Sequence, residues 1–160
     1  MEFIDRYREI INELMDKSFP ELKNIKIHLE IKKLENSSMW AKRTFLGKYI
    51  VIIDPLKYKN ANYNQIEGAL AHEFVHFVDY KMQNIFMFLL DKILYKFRGY
   101  KIKKERETDR KAIQRGFAKQ LYSNRKFRIK KSTKKYIKNI LIFYMSPNEI
   151  KSYAKSIGKW

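Results

Sequence analysis

The five residues His72-Glu73-Phe74-Val75-His76 constrain this chain more than any other stretch. They lie in an apolar run, with Gly68-Ala69-Leu70-Ala71 before them and Phe77-Val78 after, so a helix spanning them is a core helix. Burying two imidazoles and a carboxylate without partners is costly, and the fold must therefore give them something to bind. On a helix, positions i and i+4 stand one above the other, so both imidazoles can face one metal ion. Glu73, about 100° round the same helix, can reach a water on that ion. The competing reading is two surface histidines beside a solvated glutamate, which the apolar flanks disfavour.

Zinc in a catalytic site takes three protein ligands and leaves a fourth position for water, whose pKa falls to near 7. The chain has no cysteine, so the third ligand must be His, Asp or Glu. His28 falls on the Lys26 and Glu30 side of an alternating strand and reads as solvent-facing. The sequence offers Glu105-Arg106-Glu107-Thr108-Asp109-Arg110 for this role, with Glu107 and Glu149 as the alternatives to Glu105. Glu105 and Asp109 share a helix face with the small residues Ala112 and Gly116, which allow close approach of the metal-binding helix, while Glu107 points nearly opposite. With Glu105 on the metal, Asp109 is placed one turn on to accept the second N–H of a ligating histidine and fix its tautomer.

HExxH followed by a separate helix carrying ExxxD resembles the gluzincin metallopeptidases. The E-x-E-x-D-R run is similar to the ExEAD pattern of HtpX-like and CAAX-prenyl-protease-like peptidases, with Thr108 where alanine is usual. The small size resembles the soluble minigluzincins. The resemblance covers roughly residues 25–122 and implies one zinc ion per chain held by His72, His76 and Glu105. It implies Glu73 as the base that deprotonates the zinc-bound water, and Asp109 as the residue orienting a ligand. It further implies an edge strand that binds peptide in extended form, for which Met39, Trp40, Ala41 and Lys42 are the candidates. The expected activity is zinc-dependent hydrolysis of peptide bonds. Minigluzincins can be latent, so the 38 residues after Tyr122 also read as a regulatory cover for the cleft.

The surrounding pattern predicts one α+β domain over residues 1–160. An amphipathic helix over residues 2–17 places Phe3, Tyr7, Ile10 and Leu14 on one stripe. The alternation in Ile25–Lys32, a weaker Ser38–Phe45 and the apolar Tyr49–Ile53 predict about three strands in a small twisted, mainly antiparallel sheet. Asn64 with Glu67 reads as the cap of the metal-binding helix, which runs to about Met82 or beyond. A break near Arg98-Gly99 precedes a glutamate helix over about 103–122. Asn124 to Lys131 reads as a basic connector, and two further helices follow, around 133–145 and from Ser146-Pro147-Asn148-Glu149. The apolar run Ile85–Leu90 is too short to span a bilayer; it reads as a helix end packed in the core rather than a membrane-facing elbow.

Charge supplies the rival reading. The chain carries 35 Lys and Arg against 17 Asp and Glu, and residues 96–160 hold twenty-one basic against four acidic side chains. From Arg125 to Lys138 there are eight basic residues and no acid, interleaved with Phe127, Ile129, Tyr136 and Ile137. Clustered cations and aromatics of this kind suit nucleic acid or another polyanion, with the metal site then structural. A solvated lysine-rich helix face is the reading favoured here. The N-terminal residues lack the features of a signal peptide, and with no cysteine a cytoplasmic setting is expected.

Overall fold

The computed structural model describes residues 2–35 and 37–160 and is α+β. Helix α1 (Glu2–Lys17) is followed by a 3-10 turn at Pro20–Leu22 and three strands, β1 (Ile27–Ile31), β2 (Met39–Arg43) and β3 (Tyr49–Ile53). Helices α2 (Tyr63–Met82), α3 (Ile85–Leu94), α4 (Arg98–Gln114), α5 (Ala118–Lys130), α6 (Lys134–Phe143) and α7 (Pro147–Ser156) complete the chain. Tyr7, Ile10, Ile11 and Leu14 of α1 enter one core with Val51, Ile53, Leu70, Phe74, Ile113, Leu121 and Ile150. The Phe3 side chain falls outside the described residues.

The sheet has the order β1-β3-β2 and is mixed rather than mainly antiparallel: β3 runs parallel to β1 and antiparallel to β2. The cause is the β1–β2 connection, which carries the chain past the place where β3 later inserts. Polar contacts to the end of β3 hold that connection. Asp54 accepts from the Leu34 amide at 2.9 Å, and the Lys57 ammonium donates to the carbonyls of Leu34, Glu35 and Ser37 at 2.5, 2.9 and 2.9 Å. All five residues of β3 are buried. On its second face, Ile50 is flanked in register by His28 and Lys42, and Ile52 by Glu30 and Trp40, so neighbouring side chains cover a strand that has no helix there.

Four helix boundaries differ from the pattern reading, the first being the expected break at Arg98-Gly99, which instead opens α4. Helix α2 starts two residues early: Asn62, not Asn64, accepts from the Gln65 amide at 3.0 Å, and Gln65, not Glu67, returns the bond at 2.9 Å. The expected single glutamate helix breaks at Gly116, whose φ of 97° is left-handed; the Gly116 and Phe117 amides turn back onto the carbonyls of Ile113 and Ala112. Gly116 is thus a helix stop and not part of a packing face. The expected basic connector is the body of α5, in which Asn124 and Arg125 are buried.

Close approach to α2 is achieved instead by Gly68. A Cβ there would collide with the Gln120 carbonyl of α5 and lie 2.7 Å from the Leu121 nitrogen. Both obstacles are backbone, so neither can rotate away. Gly68→Ala is therefore expected to cost about 2–3 kcal/mol, lowering Tm by roughly 5–10 °C. An unchanged Tm in a thermal melt would contradict this packing.

Candidate metal centre

His72 and His76 project from α2 one turn apart, their ring centroids 5.1 Å from each other. Helix α4 crosses opposite and presents Glu105, whose Oε2 lies 3.0 Å from His72 Nε2 and 3.6 Å from His76 Nε2. The three side chains are 4–6 % exposed, and one ligand atom from each lies within 4.8 Å of the others. Tetrahedral zinc with bonds of about 2.0–2.1 Å holds its ligand atoms roughly 3.3 Å apart. Two imidazole nitrogens and one carboxylate oxygen at this spacing form a buried group that fits such an ion. Helix α4 turns Glu107 toward solvent, where it pairs with Arg110 at 3.2 Å, and Glu149 caps α7 and pairs with Arg106, so neither joins the group. His28 is exposed on β1.

Asp109 is fully buried one turn after Glu105, and its Oδ1 lies 2.8 Å from His72 Nδ1. The same carboxylate accepts from Arg125 through both oxygens at 3.0 Å and from the Met145 amide at 2.8 Å. Thr108, where the resembling pattern has alanine, is buried and satisfies its hydroxyl on the Lys104 carbonyl at 3.0 Å. Burial alone would push the His72 imidazole down. Its hydrogen bonds to Asp109 and Glu105, and their charges, outweigh that and raise it to about 10. Burial would likewise raise the Glu105 carboxyl, but the hydrogen bonds from both histidines hold it well below the usual carboxylate range.

Glu73 stands beside this group. Its Oε2 accepts from the amide of Ala41 in β2 at 2.7 Å. Strand β2 is a sheet edge, and the flanking bonds Asp54 N–H to Ser38 O and Thr44 N–H to Lys48 O set its alternation. Residues 40 and 42 therefore pair inward with β3, while the main-chain groups of Met39, Ala41 and Arg43 face the free edge. The Met39 and Ala41 side chains are buried, and those of Trp40 and Lys42 point to the exposed face.

Four contributors escaped the sequence reading. The Tyr95 hydroxyl, at the end of α3, donates to Glu105 Oε1. The Tyr144 ring packs on His72 at 5.6 Å between centroids, and the guanidinium groups of Arg125 and Arg128 lie 4.6 and 5.2 Å from its centroid. Burial and the Glu105 charge drive the Tyr144 phenol well above its ordinary pKa, so it stays protonated. Tyr144, Arg125 and Arg128, with Ser38, Met39, Tyr58 and Asn124, close over His72 and Glu73 and leave about 10 Å³, the room of one water. Comparison of the chain with known protein families, characterised proteins and solved structures finds no match.

Replacing Asp109 by Asn leaves the buried Arg125 charge unpaired, so a loss of about 3–5 kcal/mol is expected in urea unfolding. Zinc affinity should fall about 10–100-fold by calorimetry. Burial opposes the charge of Asp109, but Arg125 and His72 overcome it and keep the carboxyl low. Its stabilisation is therefore complete above about pH 4 and drains away as pH falls below that. Unchanged unfolding and zinc affinity in Asp109→Asn would contradict this role.

Proposed function

We propose that the protein is a zinc-dependent peptidase, with His72, His76 and Glu105 as the metal ligands and Glu73 as the general base. The observation that carries this reading is the placement of Glu73. Its carboxylate sits beside a buried two-histidine, one-glutamate group while bonded to the amide of a free sheet edge at 2.7 Å. Zinc bound there supplies a Lewis acid and lowers the pKa of a coordinated water to near 7.

The chain's own residues supply the rest. Asp109 orients His72 through Nδ1, and Tyr95 holds Glu105 through Oε1. The Ala41 amide fixes Glu73 by Oε2, leaving Oε1 to take a proton from water and pass it to the leaving amine. An extended peptide laid along β2 pairs with the outward main-chain groups of Met39 and Arg43 and with the Ala41 carbonyl, the Ala41 N–H being taken by Glu73, and brings a carbonyl past Glu73.

The closure of this space to the volume of one water, with Tyr144 on its wall, supports a latent form in which the segment 132–146 is part of the cover. Truncation after Tyr122 would remove Arg125 along with the cover and unbalance Asp109, so release calls for a nick. The test inserts a sequence-specific protease site between Lys131 and Ser132, after α5, and assays a fluorogenic peptide library before and after cutting. Chelator-sensitive cleavage, increased by the cut, is expected. Glu73→Gln should keep stoichiometric zinc and lose at least about a hundredfold in kcat, and Glu105→Ala should lose zinc by elemental analysis. A zinc-loaded protein inert in both states would contradict the proposal, and stoichiometric zinc in Glu105→Ala would reject that ligand.

A further inference from the structure

Helix α3 is turned inside out relative to a core helix, and the expected packing of Ile85–Leu90 into the core does not occur. Ile85, Phe86, Leu89, Leu90 and Ile93 are 45, 71, 41, 38 and 56 % exposed, while Phe88 and the charged Asp91 are buried. At 100° per residue, those five exposed side chains fall within an arc of about 140°. They form one continuous hydrocarbon face without a single hydrogen-bonding side chain. The inner face is pinned by polar contacts: Asp91 accepts from Tyr100 at 2.5 Å and lies 3.6 Å from Lys104, and Phe88 packs edge-on against Tyr80. The helix therefore cannot roll to hide its apolar side.

A second apolar element stands next to it. Arg43, at the base of the β2–β3 hairpin, donates to the carbonyls of Tyr80 and Gln83 at 2.5 and 3.4 Å and stacks over Phe88 at 5.0 Å. This brings the hairpin tip, with Phe45 and Leu46 at 72 and 84 % exposure, to the α2–α3 corner beside Met82 at 78 %. The rim is cationic. Lys48, Lys81, Lys92, Lys96, Arg98 and Lys103 are all exposed, and the only acid between Lys81 and Lys104, Asp91, is buried.

We propose that α3 and the β2–β3 hairpin tip form an in-plane docking face for a bilayer surface rich in anionic lipid. Ten residues make a helix about 15 Å long, half the roughly 30 Å hydrocarbon core, so α3 lies along the interface and does not cross it. No described helix is long and apolar enough to cross a membrane. A face with no hydrogen-bonding group suits acyl chains, whereas protein partners typically meet through one hydrogen bond per about 100–200 Å². The basic rim matches lipid phosphates, with lysine stems able to lie along the apolar surface and place their ammonium groups at headgroup level. Because Tyr95 at the end of α3 holds Glu105, docking would set the metal centre beside the lipid surface. The inference stands whether or not the peptidase reading does.

The test is co-sedimentation of the intact protein with vesicles of phosphatidylcholine alone or mixed with phosphatidylglycerol, at low and high salt. Binding to the mixed vesicles is expected to be at least about tenfold tighter than to the neutral ones and to weaken in high salt. The exposed-face variant Phe86→Asp/Leu90→Asp, and the single change Ile93→Asp, should each lower partitioning about tenfold with Tm and zinc content unchanged. Equal partitioning of these variants and the parent would overturn the proposal, as would equal binding to neutral vesicles. So would a solution dimer, seen by light scattering, that Phe86→Asp/Leu90→Asp splits into monomers.

Discussion

The buried carboxylate of Asp109 is the interaction on which the arrangement depends. It joins four parts of the chain at one point: His72 on α2, its own helix α4, Arg125 on α5 and the Met145 amide that leads into α7. A charge of this kind is tolerated in the interior only when its partners are fixed, so α4 cannot shift on α2 without exposing Asp109 or stranding Arg125. The same bond that satisfies Asp109 sets the ring plane of His72. Packing and ligand geometry are therefore one constraint, and Glu105, one turn away, inherits its position from it.

Around this joint the chain builds opposite conditions on two sides. Toward α5 and α6, the aromatic ring of Tyr144 and two guanidinium groups close over His72 and Glu73 and leave the space of one water. Toward the sheet, Glu73 reaches out to the edge strand, so the base is held by backbone that has an unpaired side. The contrast gives the proposed chemistry its shape: a dry group of donors, a carboxylate fixed at its boundary and an extended binding edge next to it.

The centre itself was legible because its rules are local. Helical spacing alone puts His72 over His76 and Glu105 over Asp109, and the Ser146–Glu149 capping box announces α7 in the same way. What was hidden is non-local. Arg125 stands in a run of cations that reads as solvated, and nothing adjacent in sequence reveals that its partner is Asp109, sixteen residues earlier. The strand order cannot be read from alternation, since β1 and β2 look like neighbours until β3 enters between them. Periodicity marked the apolar stripe around Ile85–Leu90 but not which way it faces; that is decided by where Asp91 and Phe88 find partners. Asn62 and Asn64 are equally good caps by residue type, and the one whose third neighbour turned back to bond it prevailed.

The central claim is that His72, His76 and Glu105 together hold one zinc ion, and X-ray absorption of the zinc-loaded protein tests it most directly. The account predicts one tightly bound zinc per chain, with a four-coordinate nitrogen and oxygen shell at about 2.0–2.1 Å and the outer scattering of two imidazoles. A six-coordinate all-oxygen shell, or zinc whose spectrum is unaltered when His72 and His76 are both replaced by alanine, would contradict it.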